Sequence, residues 1–344
     1  MIPYLLYFII VLFLYFLGRK RLIFRVLLYA VVILFVGFRK DVGTDYSSYE
    51  EYYGLTYSYL EPGFSYLVDV LNQHSLGVEY MFFSAALITY LLIFAALELL
   101  IKEDKRFFPA ILLMCLLTVT ITCNGIRQCI AIAFFFFSYR YIRDRKLIKF
   151  LLFCGLGALF HFSLLLVLPL YFFYHKSLQK PWCIIIYIIS FIFVFVPFQE
   201  LIGPFKSLLE GYERWNHLTD TGKYDSSYMS FGVLLSILNY LVLFYFSLRN
   251  KVNIKYPVLF NLFFTACVLM NVRVGSPLII RFQMIFTWFT FLILPLVVKI
   301  EKDKMVKVFL ICFYTLSFTA STIKYVFFDT ISQMVPYKNV LFTI

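Results

Sequence analysis

The sequence is most informative at residues 22–49, LIFRVLLYAVVILFVGFRKDVGTDYSSY, where an apolar run meets a polar segment. The run Leu22–Phe38 is long enough to cross the hydrocarbon core of a bilayer as a helix. Arg39 and Asp45 follow at its end. Charged groups are costly inside a bilayer, so those kept at its boundary mark a candidate functional site. This stretch therefore predicts a membrane-spanning helix and the start of a site.

The remainder of the chain repeats this apolar character. Of its 344 residues, 62% are hydrophobic and 15% are charged. Apolar runs recur from end to end and leave no stretch long enough for a soluble domain. We therefore predict one all-α, polytopic membrane domain over residues 1–344. The run Ile2–Leu17 has no basic region before it and no small-residue cleavage site after it, so we expect a retained helix.

The net charge of +12 would suggest a nucleic-acid partner in a soluble protein. Here the basic residues fall in short loops between apolar runs, which is the pattern of membrane topology, and we expect no nucleic-acid partner. The seven cysteines lie mostly inside apolar runs, without disulfide or metal-ligand spacing. No Asp-x-Asp, phosphate-cradling glycine loop, His-Glu-x-x-His or Gly-x-Ser-x-Gly motif is present, so we expect no metal and no cofactor.

Loop charge assigns a side to each predicted helix, because basic loops are enriched on the cytoplasmic face. The basic loops are Gly18–Arg25, Lys102–Arg106, Arg140–Lys149, Arg249–Lys255 and Lys299–Lys307. The N-terminus is then external. Two larger external segments are predicted as well: residues 39–78, which include an amphipathic stretch, and residues 198–230.

Residues 150–174 decide the orientation of everything that follows them. A single crossing here would make the 198–230 loop cytoplasmic and Arg249–Lys255 external, against the charge bias. Two glycines and Pro169 weaken a continuous helix in this stretch. We therefore predict a broken or re-entrant helix pair that meets near His161, which brings the whole chain to about 12 crossings.

Under this topology, the polar residues inside or beside the apolar runs fall on the external side. They are Arg39, Asp45, Glu61, Asn124, Arg127, Gln128, His161, Arg273 and Arg281. Asn124, Arg127 and Gln128 share one face of a predicted helix because they stand at i, i+3 and i+4. The planar guanidinium of Arg127 matches phosphate, so this face suits an anionic, hydroxyl-rich ligand. The alternative is that Arg127 extends to the lipid headgroups.

The turn at Gly43 supplies further candidates. Gly43 permits a tight turn that would fold Asp45 back towards the membrane surface, near Arg39 and Thr44. Arg39, Thr44 and Asp45 are therefore candidates for ligand binding or catalysis. A purely structural Arg39–Asp45 pair is the alternative.

Four more residues have two interpretations each. Glu61 is a candidate general base or a helix cap. His161, at the predicted break, is a candidate base or a structural histidine. Tyr46 and Tyr49 could stack on sugar rings or belong to an aromatic belt.

Two more arginines follow late in the chain, on either side of a turn between two predicted spans. Arg273 and Arg281 would join Arg39 and Arg127 in a set of four guanidinium groups able to hold a pyrophosphate. Tyr337, in the external tail, is expected to close over the site.

Four ordered motifs resemble the EpsG family of Wzy-type polysaccharide polymerases. They are Phe38-Arg39-x-x-Val42-Gly43-Thr44-Asp45-Tyr46-x-x-Tyr49, Asn124-x-x-Arg127-Gln128, His161-x-Ser163 with Pro169 and Tyr171, and Val335-Pro336-Tyr337. The resemblance implies a GT-C-like glycosyltransferase that acts at the outer face of the bacterial cytoplasmic membrane. Its donor and acceptor would be polyprenyl-pyrophosphate-linked oligosaccharides, and its product O-antigen, capsule or exopolysaccharide. Membrane lipids and a chain-length regulator would be further partners.

In this chemistry, fixed guanidinium groups stabilise the leaving pyrophosphate, and Asp45, Glu61 and His161 are the candidates for the general base. Three other functions are weighed: an O-antigen-ligase-like transferase, a flippase or transporter of lipid-linked sugars, and, more distantly, a membrane acyltransferase. A flippase needs a polar path to the cytoplasmic leaflet. We find no polar residue inside the spans on that side, which counts against a flippase.

Overall fold

The computed structural model describes residues 2–54, 61–195, 231–274, 277–328 and 333–341. Contacts divide the chain into two compact units. The first unit is Met1–Tyr171 with Phe318–Ile344, and the second is Phe172–Ser317. The predicted external segment 198–230 lies outside the described residues. The single membrane domain predicted for residues 1–344 stays a prediction.

The described residues are almost entirely helical. In the first unit the α-helices are α1 (Ile2–Gly18), α2 (Leu22–Gly37), α3 (Tyr46–Gly54), α4 (Pro62–Gln73), α5 (Val78–Glu103), α6 (Pro109–Leu117), α7 (Val119–Thr122), α8 (Ile126–Arg143) and α9 (Leu147–Ala158). Short 3-10 and π segments add Lys105–Phe107, Phe162–Phe172 and Lys324–Phe328. The all-α prediction is confirmed for this part of the chain.

The second unit contains α10 (Lys180–Ser190), α11 (Ile192–Phe195), α12 (Phe231–Arg249), α13 (Val252–Lys255), α14 (Pro257–Val272), α15 (Pro277–Thr287) and α16 (Thr290–Ile300), and α17 (Lys304–Ile323) begins there. Buried side chains lie all along α14. The ring of Phe244 on α12 stacks on Tyr187 at 4.7 Å and on Phe264 at 5.4 Å. The core of this unit is therefore built around α14.

Three helices in the described residues are long and apolar enough to cross a membrane: α5, α12, and α17 with its π-helical extension. A fourth span is α15 with α16, if that pair, bent by 43°, counts as one. The other apolar helices are shorter, with 10–17 residues each. The helices and their apolar character agree with the sequence, whereas about 12 crossings and the GT-C-like fold stay predictions.

The helix break predicted near His161 is present. Helix α9 ends at Ala158, and the chain resumes at Phe162 as a 3-10 helix rather than as a second α-helix. A Cβ atom at Gly157 would lie 2.5 Å from Leu164 Cδ2 and 2.9 Å from Phe134 Cβ. A glycine is therefore needed where the end of α9 packs closely against α8. Whether each half crosses the membrane stays a prediction.

Three basic loops lie together at one end of the first unit, which we call the basic end. Arg25 at the start of α2 donates to Glu98 Oε1 at 2.7 Å and to the Gly18 carbonyl at 3.0 Å. Arg143 at the end of α8 forms an ion pair with Glu103 at the end of α5. The loops predicted to share the cytoplasmic side therefore share one end of this unit. The side of the membrane that this end faces stays a prediction.

The opposite end of the first unit holds the polar segment that follows α2. Strand β1 (Arg39–Lys40) pairs antiparallel with β2 (Lys338–Asn339). The Val340 amide also donates to the Phe38 carbonyl at 2.8 Å. Helices α3 and α4 pack beside this pair on a buried cluster formed by Tyr46, Tyr49, Phe64, Val68, Leu71, Met81, Phe82, Ala85, Ile126 and Ile130. This cluster fixes the side chains of the candidate site.

Candidate functional site

The site is assembled where the first turn of α4 meets the break after α9. Pro62 occupies the first turn of α4, where its missing N–H costs nothing. The Gly63 amide donates to the Leu159 carbonyl at 2.8 Å. A Cβ atom at Gly63 would lie 2.9 Å from both the Leu159 carbonyl oxygen and Leu159 Cβ. This close approach brings Glu61, the residue before α4, next to His161.

Glu61 is the centre of the site. Its Oε1 lies 2.9 Å from His161 Nδ1, and its Oε2 accepts a hydrogen bond from Arg127 Nη1. The residue is only 7% exposed. Burial acts to raise the pKa of the carboxyl, but the hydrogen bond with His161 and the charge of Arg127 outweigh it and lower the pKa to about 2. Glu61 is therefore an ionised carboxylate at neutral pH.

The geometry excludes one of the two interpretations of Glu61, the side-chain helix cap. Its main-chain carbonyl accepts hydrogen bonds from the Phe64 and Ser65 amides, both at 3.0 Å. Its side chain makes no capping hydrogen bond to α4. The backbone of Glu61 begins the helix, whereas its carboxylate is directed to His161 and Arg127.

Arg127 and Tyr49 complete the cluster. Arg127 stands in the first turn of α8, and its Nε donates to the Tyr49 hydroxyl at 3.2 Å. Tyr49 and Tyr46 are both 5% exposed, and the Tyr46 ring stacks on Phe82 at 4.6 Å. The predicted stacking of these tyrosines on sugars is not supported, because their rings are packed in the interior. They form the wall behind Arg127.

Arg39 has a different environment from the one predicted for a pyrophosphate ligand. It is 1% exposed. Its Nε, Nη1 and Nη2 donate to the carbonyls of Val42, Val36 and Cys123 at 3.2, 2.9 and 2.9 Å. The guanidinium carbon also lies 4.5 Å from the centre of the Phe82 ring. Arg39 is buried and three of its five N–H groups bind carbonyls, so it holds the end of α2 to the turn before α8. Its predicted role in ligand binding stays a prediction.

Asn124 and Thr44 bind each other. The Thr44 amide and hydroxyl donate to Asn124 Oδ1 at 2.7 and 3.0 Å. Asp45 is half-buried, and its Oδ1 lies 3.2 Å from the Thr44 hydroxyl oxygen, whose single hydrogen it shares with Asn124 Oδ1. Gln128 is buried at the start of α8. The alternative of a structural Arg39–Asp45 ion pair is not formed in the described residues, where Arg39 donates to carbonyls instead.

Three predicted ligand residues remain: Arg273 and Arg281 belong to the second unit, and Tyr337 to the first. In the second unit, Arg273 Nη1 donates to Gln283 Oε1 at 3.3 Å, and Arg281 is exposed on α15. In the first unit, the Tyr337 ring stacks on Phe35 at 4.2 Å, and its hydroxyl donates to the Phe35 carbonyl. Tyr337 thus anchors the tail to α2. The predicted roles of Arg273 and Arg281 in ligand binding stay predictions.

One polar cluster was missed from the sequence. Glu98, inside α5, accepts hydrogen bonds from Arg25 and from the Tyr29 hydroxyl near the basic end. The prediction that the spans contain no polar residue on the cytoplasmic side was therefore wrong. A carboxylate within a predicted span was the signal that could have found it. Both charges are partly buried and paired with each other, as expected for a structural contact between α2 and α5.

The arrangement is suited to moving a proton next to an anionic group. An ionised carboxylate only accepts hydrogen bonds, so His161 Nδ1 carries the hydrogen that faces Glu61. In the neutral tautomer that has this hydrogen on Nδ1, Nε2 is the acceptor nitrogen, and Glu61 fixes the orientation of the ring. Arg127 supplies a positive charge beside it. Among the described residues, no group of three or more His, Cys, Asp or Glu side chains could hold a metal ion.

Residues 22–339 match the model of the EpsG family. No curated protein and no solved structure matches the sequence.

Proposed function

The chain belongs to the EpsG family, which comprises Wzy-type polysaccharide polymerases, and on this premise we propose that it joins lipid-linked oligosaccharide repeat units into a polysaccharide. In this proposal both donor and acceptor carry a polyprenyl pyrophosphate. The growing glycan is transferred from its carrier to a hydroxyl of the next repeat. The product is an O-antigen, a capsule or an exopolysaccharide.

The observation that carries this proposal is the contact of Glu61 with both His161 and Arg127. His161 Nε2 removes the proton from the acceptor hydroxyl as its oxygen attacks the anomeric carbon of the donor. The bond between that carbon and the pyrophosphate oxygen breaks, and the negative charge leaves with the pyrophosphate. Glu61 stabilises the imidazolium that forms. Asp45 is not needed as the base.

The leaving group needs positive charge that is fixed in advance. A pyrophosphate gains charge as the glycosidic bond breaks, and guanidinium groups stabilise that change more in the transition state than in the ground state. We propose Arg127 for this role. Arg273 and Arg281, in the second unit, stay candidate pyrophosphate ligands. Arg127 then shares its donors between Glu61 and the pyrophosphate. No metal ion is required when guanidinium groups supply the charge.

The setting of the reaction is part of the same proposal. A GT-C-like arrangement with about 12 crossings in the bacterial cytoplasmic membrane would have the Glu61 cluster at the outer face. Support comes from the position of the cluster in the first unit, at the end opposite the basic loops. Basic loops favour the cytoplasmic side, so the opposite end would face outward.

Purified protein in detergent provides the direct test. The substrate would be lipid-linked repeat units extracted from a strain of the source organism that lacks this protein. We expect a ladder of longer lipid-linked glycans. A flippase cannot lengthen a glycan in detergent, and a ligase would leave the repeats unchanged without its own acceptor. Failure of the folded wild-type protein to lengthen the repeats would contradict the proposal.

A further inference from the structure

Asn124 has no hydrogen-bonding capacity left for a ligand. Its Oδ1 accepts from the Thr44 amide and hydroxyl, at 2.7 and 3.0 Å. Its Nδ2 donates to the Thr120 carbonyl at 3.2 Å and to the Tyr325 hydroxyl at 2.8 Å. A side-chain amide offers two donors and an oxygen with two acceptor sites. All four of these positions are occupied. The Asn124 side chain therefore has no donor or acceptor left for the predicted contact with substrate.

The contacts of Asn124 join three separate parts of the first unit. Thr44 belongs to the turn after β1, Thr120 to α7, and Tyr325 to the π-helical segment after α17. The Asn124 carbonyl also accepts from the Ile126 amide at 2.7 Å, at the first residue of α8. Asn124 is therefore the point at which these segments meet the start of the helix that carries Arg127.

Gly43 makes this junction close-packed. Its φ of +98° favours glycine, and a Cβ atom there would lie 2.5 Å from the Cys123 carbonyl oxygen and 2.8 Å from Asn124 Oδ1. Arg39 donates to the same Cys123 carbonyl at 2.9 Å. The turn before α8 is thus held at two successive residues: Arg39 binds the Cys123 carbonyl, and Thr44 binds the Asn124 side chain.

We propose that Asn124 is a positioning residue: it ties the Thr44 turn and the C-terminal Tyr325 to the start of α8 and so directs Arg127 towards Glu61 and Tyr49. This inference rests on the proposed function, because it assigns Arg127 to the transfer reaction. Arg127 holds its two partners through Nη1 and Nε, and such a two-point contact is lost when the first turn of a helix shifts by a fraction of an ångström. Tyr325 contributes a C-terminal support to a site built from N-terminal segments.

The test uses full-length variants in the detergent assay, with donor concentration varied to separate kcat from KM. Asn124→Ala removes all four bonds. Asn124→Asp keeps both acceptor contacts with Thr44 and is the conservative variant. Tyr325→Phe removes one bond to Asn124. The matched control is Tyr4→Phe, which removes a bond from a buried tyrosine to the Met334 carbonyl, also in the C-terminal segment, without touching Asn124.

We expect Asn124→Ala to lower kcat roughly 10- to 100-fold with a smaller change in KM, because the lost interaction acts mainly in the transition state. Asn124→Asp should recover part of the loss, and Tyr325→Phe should lower kcat more than Tyr4→Phe does. Wild-type kcat in folded Asn124→Ala would overturn the inference. So would equal losses in Tyr325→Phe and Tyr4→Phe.

A second measurement separates positioning from a general loss of stability. If Asn124 acts through Arg127, adding Asn124→Ala to an Arg127→Lys protein should cost much less activity than adding it to the wild type. Equal fold losses in the two backgrounds would overturn the inference even if Asn124→Ala is partly unfolded. An inactive wild-type protein would instead refute the proposed function, so the two failures are distinguishable.

Discussion

At the scale of single residues, Glu61 links a base to a cation, because each of its carboxylate oxygens contacts a different partner. His161 and Arg127 are 100 and 66 residues away from it in sequence. Neither contact alone makes a catalytic site, since a buried carboxylate commonly pairs with an arginine for structure. Their combination orients His161 and places it beside a positive charge.

The role of His161 as a base is tested by His161→Asn. An asparagine amide can still donate to Glu61, but it cannot accept a proton at neutral pH. We expect the rate of glycan transfer to fall roughly 10²- to 10⁴-fold, the usual contribution of general base catalysis, while the protein stays folded. The matched control is His74→Asn, at an exposed histidine that ends α4. Unchanged transfer by folded His161→Asn would exclude His161 as the base.

The low pKa of Glu61 predicts that the free energy of unfolding depends on pH in the acid range. Its folded-state pKa of about 2 lies below the usual value near 4.3 for an unfolded chain. A lowered pKa stabilises the fold at pH values above the unfolded pKa, and this stabilisation is lost as pH falls towards the folded pKa. The carboxyl should therefore contribute on the order of 3 kcal/mol at pH 6, lost between about pH 5 and pH 2.

Thermal unfolding in detergent at several pH values measures this contribution. Glu61→Gln should lower the midpoint temperature at pH 6 and show a weaker decline below pH 5 than the wild type. Glu50→Gln, at an exposed glutamate on α3, is the control and should keep the wild-type decline. The same decline in Glu61→Gln and in the wild type would show that another group is responsible.

At the scale of elements, the site depends on how closely α4 approaches the end of α9. Gly63→Ala would introduce a Cβ atom 2.9 Å from the Leu159 carbonyl oxygen and Cβ, so α4 must shift. We expect a loss of about 1–3 kcal/mol in unfolding free energy and a fall in activity, since Glu61 moves away from His161. Gly155→Ala on α9 is the matched control, because its added Cβ meets nothing within 4 Å. Equal stability and activity in the two variants would contradict this account.

Elements were largely predictable from the sequence, but contacts between them were not. Apolar runs located the helices α1, α2, α5 and α8, because a long uninterrupted apolar run favours a helix. Glu61, Arg127 and His161 were selected because they are polar residues inside or beside the apolar runs, on the predicted external side. This selection could not tell Arg39, whose donors bind carbonyls, from an arginine available to a ligand, since that depends on which backbone lies within 3 Å after folding.

At the scale of the whole molecule, the proposed outer-face reaction depends on topology, which cysteine labelling can test. Cys312 is exposed and the other six cysteines are buried, so Cys312→Ser provides a suitable background. An impermeant maleimide should label Ser47→Cys on α3 in intact cells. It should label Lys146→Cys, in a basic loop, only after the membrane is permeabilised. The reverse pattern would place the Glu61 cluster on the cytoplasmic side and contradict the proposed reaction at the outer face.

A third position tests the number of crossings after α8. Lys251, between α12 and α13, lies in a basic loop predicted to be cytoplasmic only if residues 150–174 cross the membrane twice. Two crossings predict that Lys251→Cys behaves like Lys146→Cys, whereas one crossing predicts labelling in intact cells. Labelling from outside would mean that the halves on either side of His161 form a single bent span. Protection until permeabilisation would support a re-entrant pair with His161 at its outer turn, the arrangement that an outward-facing base requires.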